Sequence, residues 1–192
     1  MNLIGHPLAA VGRYGWILVL ALGATGCRLP YIPYVTLPPP AALAHLVDEK
    51  GQAVGNAVIT RDNGGVRLLL DVIGLPAGEK AVHIHEVGRC DPPSFESAGA
   101  HFNPTKAEHG TANPRGPHVG DLPDITVGTD GKGHLEFTIK RVALDKKAAG
   151  SLLDADGSAI VIHESADDKR TDPAGNSGAR IACGVIVSEG KR

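Results

Sequence analysis

Aromatic residues are scarce in this sequence, with one tryptophan, three tyrosines and three phenylalanines among 192 residues. That scarcity argues against a nucleic-acid platform, because such platforms stack bases on aromatic rings. An excess of one charge is missing too, since 19 Lys and Arg stand against 21 Asp and Glu, for a formal net charge of −2. Without a basic footprint, we expect no nucleic-acid partner.

The sequence also lacks an apolar run long enough to cross a membrane. The uncharged stretch at 14–27 has 14 residues, whereas a spanning helix needs about 20. With Arg13 before it, the stretch is typical of an export signal. It ends in small residues directly before Cys27, which resembles the lipobox of bacterial lipoproteins. We therefore predict a lipoprotein-type signal peptide at 1–26, a lipidated Cys27, and a periplasmic or cell-envelope protein anchored to the membrane. The alternative is a plain cleaved signal.

Five prolines follow the proposed cleavage site, within residues 28–40. Proline fixes φ and removes a backbone donor, which favours an extended, solvated chain. At about 3.1 Å per residue such a stretch reaches about 40 Å. We predict a proline-rich tether at 27–40 and one domain at 41–192, the alternative being an untethered N-terminal arm.

Short apolar runs separated by turn signals make up the rest of the chain. Asn63-Gly64, Asp130-Gly131 and Asp156-Gly157 are such signals. The pattern predicts eight strands, at about 41–48, 54–61, 66–73, 81–87, 122–128, 134–141, 158–164 and 180–188. Residues 142–153 favour a loop with one short turn. The prediction is an all-β antiparallel sandwich or barrel, with two long functional loops at 88–121 and 165–179.

Histidines are plentiful, and six of the nine fall where a metal site needs them. His83 and His85 lie two residues apart on a predicted strand, so both imidazoles project from one face. His101, His109, His118 and Asp121 occupy the first long loop or its edge, and His163 ends a strand. A histidine-only group favours copper, and three histidines with one carboxylate suit zinc. Chemistry alone predicts one or two transition-metal ions and leaves their sharing open; scattered surface histidines explain the whole set poorly.

Five segments in this order resemble the motifs of the copper/zinc superoxide dismutase family: VHIHE at 82–86, SAGAHFNP at 97–104, HVGDL at 118–122, IHE at 162–164 and GNSGARIACGVI at 175–186. The resemblance covers about residues 42–188. It implies a Greek-key barrel or sandwich that uses copper and zinc.

The resemblance also implies a role for each motif residue. Copper would be bound by His83, His85, His101 and His163, and zinc by His101, His109, His118 and Asp121, with His101 shared as an imidazolate. Asp167 would hydrogen-bond His83 and His109. Arg180 would line the channel to copper, unless it merely pairs with a carboxylate such as Asp172. Cys90 and Cys183 would form a disulfide.

The implied activity is dismutation of superoxide to oxygen and hydrogen peroxide, as antioxidant defence outside the cytoplasm. In that reaction His101 and Arg180 would be the catalytic residues, superoxide the small-molecule substrate, and zinc structural. The alternative is a non-enzymatic copper- or zinc-binding module on the same fold. A monomer and a homodimer are both compatible with the sequence.

Overall fold

The computed structural model describes residues 41–189. The predicted signal peptide at 1–26, Cys27 and the tether at 27–40 lie outside these residues. Ten strands run through the described part: β1 Ala42–Asp48, β2 Ala53–Asp62, β3 Gly65–Val72, β4 Gly78–Lys80, β5 Val82–His85, β6 Ile125–Val127, β7 Gly133–Lys140, β8 Ala159–His163, β9 Arg180–Val185 and β10 Val187–Ser188.

The all-β prediction is confirmed, with two differences in strand number. The short strand β4 was not predicted, because its sequence Gly-Glu-Lys carries no apolar alternation. The predicted strand at 180–188 divides at Ile186, whose N–H donates to Ser158 O while the next two residues pair with β1. Residues 142–153 form turns without a helix, as expected.

The sheet closes on itself at residues 78–85. The strand order is β4-β6-β7-β3-β2-β1-β9-β8-β5, so β4 and β5 end the list, yet only Ala81 separates them in the chain. On one side β5 pairs with β8. On the other, β4 pairs with β6, and the loop before β6 continues along β5 through Leu122 N–H to Val82 O (3.2 Å). Because β3 and β4 are separated by β7 and β6 in the sheet, the chain makes a Greek-key connection, and the result is a nearly closed antiparallel barrel.

The side chains on the two faces of the barrel wall belong to two separate apolar clusters, one inside the barrel and one outside it. The inner cluster contains Val82 and Ile84 of β5 with Ile160 and Ile162 of β8. A smaller outer cluster joins Val161 and Cys183 on the barrel wall to Phe95 of the first long loop. His83 and His85 alternate with the inner residues of β5, so they project from the outer wall and are buried only because the long loops cover them.

Each long loop carries little regular structure of its own. The first contains one 3-10 turn, Glu96–Ala98, and two isolated bridges to β5, His83 to Asp121 and His85 to His101. These bridges dock the loop on the barrel beside the strand histidines. Within residues 41–189 there is no helix with the length and apolarity that a membrane crossing requires.

Candidate metal centre

Six histidines and two aspartates meet on the outer wall of the barrel, under the two long loops. The structure brings together the predicted metal ligands and Asp167, each of them buried: His83, His85, His101, His109, His118, Asp121, His163 and Asp167. Their ring nitrogens and carboxylate oxygens form two overlapping groups, and both His83 and His101 lie close to the ligand atoms of each.

The first group has one engaged and one free nitrogen on each strand histidine. His85 Nδ1 lies 2.9 Å from Gly99 O, and His163 Nδ1 lies 3.2 Å from Gly178 O. A carbonyl only accepts, so both Nδ1 atoms carry the proton and both Nε2 atoms keep a lone pair. His83 Nε2 bonds instead to Asp167 Oδ2 at 3.0 Å, which leaves its Nδ1 free.

The four free nitrogens converge without any protein partner. His83 Nδ1, His85 Nε2, His101 Nε2 and His163 Nε2 are buried and make no hydrogen bond, and the four histidines have ligand atoms within 4.8 Å of one another. Buried polar atoms rarely lack partners in a folded protein. An all-imidazole set of this kind suits copper.

The second group is built around one oxygen, Asp121 Oδ1. Three ring nitrogens approach it: His101 Nδ1 at 3.0 Å, His109 Nδ1 at 3.1 Å and His118 Nδ1 at 3.3 Å. His118 Nδ1 is also 3.4 Å from His101 Nδ1. Zinc bonds of about 2.0–2.1 Å in a tetrahedron place neighbouring ligand atoms about 3.3 Å apart, so these spacings fit tetrahedral zinc.

His83 is also close to the second group, within 4.8 Å of the His101, His109 and Asp121 ligand atoms. We assign it to the first group, because its Nε2 is occupied by Asp167 and its free Nδ1 belongs to the convergent set. His118 completes the second group on the distances above. His101 takes part in both, with Nδ1 toward Asp121 and Nε2 toward the strand histidines.

Asp167 ties the two groups together with one carboxylate. Its Oδ2 bonds His83 Nε2 and its Oδ1 bonds His109 Nε2, both at 3.0 Å. A carboxylate on the outer nitrogen orients a metal-binding imidazole and raises its basicity. Gly175 makes room for this arrangement: it has φ +63°, and a Cβ there would overlap Asp167 Oδ1 and lie 2.6 Å from His109 Nε2.

Burial and charge shift the pKa values of the strand histidines and of His109 in opposite directions. Burial lowers the pKa of His85 to about 2 and that of His163 to about 3. Burial alone would lower the pKa of His109 as well, but the carboxylates of Asp121 and Asp167 outweigh it and raise that pKa to about 9. The pKa of each of these carboxyl groups is lowered: burial opposes ionisation, but their histidine contacts prevail. At neutral pH His85 and His163 are therefore neutral and ready to donate lone pairs, and the second group contains the anionic oxygens of Asp121.

A cavity of about 420 Å³ opens over the first group, lined among others by His85, His101, His163, Pro173 and Arg180. Arg180 donates to Phe95 O at 2.7 Å and Gly99 O at 2.8 Å. These carbonyls hold the guanidinium at the cavity, and the alternative pairing with Asp172 does not occur. Burial lowers the pKa of Arg180, with Glu96 opposing; an arginine stays charged at neutral pH nonetheless.

The predicted disulfide is present between Cys90 and Cys183, with Cα atoms 5.6 Å apart. Cys183 is fully buried in the outer cluster, which Cys90 contacts. The bond therefore fastens the first long loop to β9, the strand that begins with Arg180.

Five contacts at the site were not foreseen from the sequence. The carbonyls of Gly99 and Gly178 fix the strand histidines. Asp124 accepts the Asp167 N–H at 3.2 Å and pairs with Lys169 Nζ at 3.3 Å. Asp172 bonds the His109 N–H at 2.7 Å. Backbone carbonyls leave no mark in a sequence, and acidic loop residues are too common to single out.

Known proteins resemble this chain in sequence and in fold. Residues 53–186 match the family model described as copper/zinc superoxide dismutase. "Superoxide dismutase [Cu-Zn] 1" of Aquifex aeolicus is 48% identical over 146 residues, which cover 74% of this chain and 85% of that protein. The chain belongs to the copper/zinc superoxide dismutase family, whose two metals suit the two donor groups described above.

A second relative is named only as superoxide dismutase-like. The superoxide dismutase-like protein YojM of Bacillus subtilis is 40% identical over 188 residues, 92% of this chain and 96% of its own. The crystal structure of a SOD-like protein from Bacillus subtilis superposes with a TM-score of 0.73 at 45% identity, over 76% of this chain and 97% of that one. The likeness supports the barrel assignment.

Proposed function

We propose that this protein dismutes superoxide, in the balanced reaction 2 O₂⁻ + 2 H⁺ → O₂ + H₂O₂. Copper would be held by His83, His85, His101 and His163, and zinc by His101, His109, His118 and Asp121. The observation that carries the proposal is the set of four buried, unpartnered ring nitrogens facing one another below an open cavity.

Copper, when bound, supplies the one-electron chemistry that both half-reactions need. The chain supplies geometry, access and protons. His85 and His163 are held by backbone carbonyls, so their free nitrogens are oriented before any metal arrives. Two protons are consumed, and the His101 imidazole can hold one at Nε2, the nitrogen that points toward the strand histidines. Zinc on Nδ1 of the same ring would keep that imidazole in place.

Arg180 is the residue that we propose attracts and orients the substrate anion. The net charge of −2 becomes −3 when Arg13 leaves with the signal peptide, so overall attraction cannot bring superoxide to the site. A fixed local cation can focus the field of a cleft and raise association rates by about 10–10³-fold. Arg180 lines the cavity, and its two carbonyl bonds leave other N–H groups of the guanidinium for an anion.

The His101→Ala variant tests the shared ligand. Two sites of four ligands drawn from six histidines and one aspartate require one residue in common. Elemental analysis should show one copper and one zinc per wild-type chain, and His101→Ala should change the copper spectrum and abolish its response to zinc. His134→Ala, on the exposed outer face beside Asp71, is the matched control. A wild-type copper spectrum and zinc response in His101→Ala would refute the bridge.

The same preparations separate an enzyme from a metal-binding module. Copper- and zinc-loaded wild type should accelerate the loss of superoxide far above free buffer. If the protein takes up both metals at these residues and leaves superoxide decay unchanged, the chain is a non-enzymatic copper- or zinc-binding module on the same fold.

We further propose that the protein works outside the cytoplasm, with a signal peptide at 1–26, a lipid on Cys27, a tether at 27–40 and the catalytic domain at 41–192. The disulfide supports export, because such bonds persist in oxidising compartments. Intact mass and membrane fractionation in the native host test the anchor. Recovery of a fully soluble, unlipidated protein would refute it.

A further inference from the structure

Asp172 joins the two long loops beside the second group of ligands, which is called the zinc group below and consists of His101, His109, His118 and Asp121. It lies in the loop at 165–179, and its Oδ1 accepts the backbone N–H of His109, in the other loop, at 2.7 Å. That bond links positions 63 residues apart and holds the main chain of a zinc-group histidine. The contact is separate from the bond of Asp167, which acts on the His109 ring.

The same oxygen lies beside a second histidine of the zinc group. Asp172 Oδ1 is 3.8 Å from His118 Nε2, too long for a direct hydrogen bond but within range of charge attraction. His118 Nδ1 faces Asp121, so Nε2 is the nitrogen left to carry the ring proton. Metal-bound histidines almost always present that second N–H to a carboxylate, carbonyl or water. Asp172 is the carboxylate in this place.

The residues after Asp172 form part of the wall of the cavity over the first group, which is called the copper cavity below. Pro173 and Ala174 line it together with His163 and Arg180. Asp172 therefore touches the zinc group with its side chain and continues into the cavity wall with its main chain. A displacement of His109 or His118 would therefore be passed to the cavity wall through Asp172 alone.

We propose that Asp172 is a positioning residue that holds His109 and His118 for zinc and transmits zinc occupancy to the wall of the copper cavity. The inference rests on the proposed zinc site, and it assigns to Asp172 a role distinct from that of Asp167. It requires the carboxylate itself at this position, because the bond to His109 needs an acceptor and the approach to His118 needs a negative charge.

Zinc affinity is the decisive measurement, made by chelator competition on the copper-free, disulfide-intact protein. Asp172→Ala should bind zinc about tenfold more weakly than wild type, the lower end of what loss of an outer carboxylate costs, since this side chain is half exposed. Asp172→Asn should lose less, because its amide oxygen still accepts the His109 N–H. Cobalt(II) in the zinc site should show a shifted visible spectrum in Asp172→Ala.

Glu49→Gln is the matched control for charge acting through space. Glu49 is exposed in a cleft that also includes Arg180, and its side chain makes no hydrogen bond or ion pair with residues 41–189. If Glu49→Gln weakens zinc as much as Asp172→Ala does, or if Asp172→Ala keeps wild-type zinc affinity and cobalt spectrum, the proposal is overturned. Should Asp172→Ala not fold, Asp172→Asn decides, and wild-type zinc affinity there is equally fatal.

Hydrogen exchange tests the coupling to the cavity wall. Zinc loading should slow exchange at the amides of Gly175 and Ser177, which close the turn after Asp172 by bonding Thr171 O and Ala174 O. Asp172→Ala should lose this protection at saturating zinc, and an undiminished protection would contradict the coupling. Neither measurement uses superoxide, so the inference and the proposed activity can fail independently.

Discussion

The two halves of the metal centre are built on different kinds of structure. His83, His85 and His163 stand on β5 and β8, whose paired backbones place them on one wall of the barrel. His109, His118 and Asp121 belong to a loop with little regular structure, and the contacts among them and with Asp167 place them. His101 belongs to that loop but is bridged to β5 at His85.

The strand-borne half is in place before a metal binds, whereas the loop-borne half is not. The strand histidines are oriented by ladder pairing and by carbonyls, and burial keeps them neutral. The loop residues gather several nitrogens around one anionic oxygen. Without a metal, the raised pKa of His109 makes its ring the cation of this group, and a metal ion must displace that ring proton to bind. We therefore expect the copper half to be preformed and the zinc half to depend on its ion and on the crosslinks of its loop.

Removal of one ligand from each half should give the largest and most unequal effects. His163→Ala takes a nitrogen from the strand-borne set, and we expect activity to fall by at least about a hundredfold, more than loss of a supporting residue costs, with zinc content retained. His109→Ala should lose zinc and keep copper with much of the activity. Metal analysis and the superoxide decay rate measure both. Zinc loss in the first variant, or complete copper loss in the second, would contradict the division.

The disulfide is the next test, because it crosslinks the loop to the barrel. The two cysteines are 93 residues apart, and in the chain-entropy account a closed loop of that size is worth about 4–5 kcal/mol. The double variant Cys90→Ala/Cys183→Ala should lose this much free energy of unfolding in urea, measured without metals, and its zinc affinity should fall more than its copper affinity. Reduced wild type is the control. An unchanged unfolding midpoint would refute the expectation.

Arg180 should show a smaller effect, confined to the cavity above the strand histidines. Arg180→Ala should lower the second-order rate severalfold or more, within the about 10–10³-fold that steering contributes, with both metals bound. Its rate should depend less on ionic strength, since salt screens the lost attraction. Arg180→Lys should keep part of the rate, because the charge remains without the planar fork. Stopped-flow decay at several salt concentrations is the measurement, and equal rates and salt slopes would exclude steering.

The smallest effect is a pH dependence of stability that has opposite signs for His109 and for the strand histidines His85 and His163. Folding raises the pKa of His109 from an ordinary 6.5 to about 9. The protonated His109 therefore contributes fully to the stability of the metal-free protein below pH 6.5, and this contribution is lost as the pH rises through 9. In the folded state the pKa values of His85 and His163 are about 2 and 3. As pH falls below 6.5, these histidines take up protons in the unfolded state only. That uptake stabilises the unfolded state and so lowers the free energy of unfolding.

Urea unfolding of the metal-free, disulfide-intact protein at pH 9, 7 and 5 checks these signs. Stability should be highest near pH 7 and lower on both sides. His109→Ala should lose the alkaline decline and keep the acidic one. A stability that rises from pH 7 to pH 5 would contradict the neutral, buried state of the strand histidines.

The sequence predicted the strands well where side chains alternate. In β3 the apolar residues Val66, Leu68 and Leu70 point inward, and turn signals bound the strand. β4 was missed because its three residues are set by pairing with β6 rather than by their own pattern. A strand of that kind depends on contacts distant in sequence.

For the site, spacing located the strand pair and the family motifs supplied the rest. The H-x-H pattern places His83 and His85 on one face by strand geometry alone. No local pattern could bring Asp172 to His109, because that contact depends on the path of two irregular loops. Gly175 likewise reads as an ordinary turn glycine until the carboxylate of Asp167 is seen to occupy the space where a side chain would lie.

The closure of the barrel at Ala81 has a consequence for aggregation. An open sheet exposes unpaired edges that can recruit other chains, whereas residues 78–85 here bond to β8 on one side and to β6 and its preceding loop on the other. The same segment carries His83 and His85. Separation of residues 78–85 from their neighbours would expose an unpaired strand edge and would also remove His83 and His85 from the metal centre. Ligands that bind only the folded state stabilise it by mass action. Bound metal would therefore keep this strand edge paired and so reduce self-association of the protein.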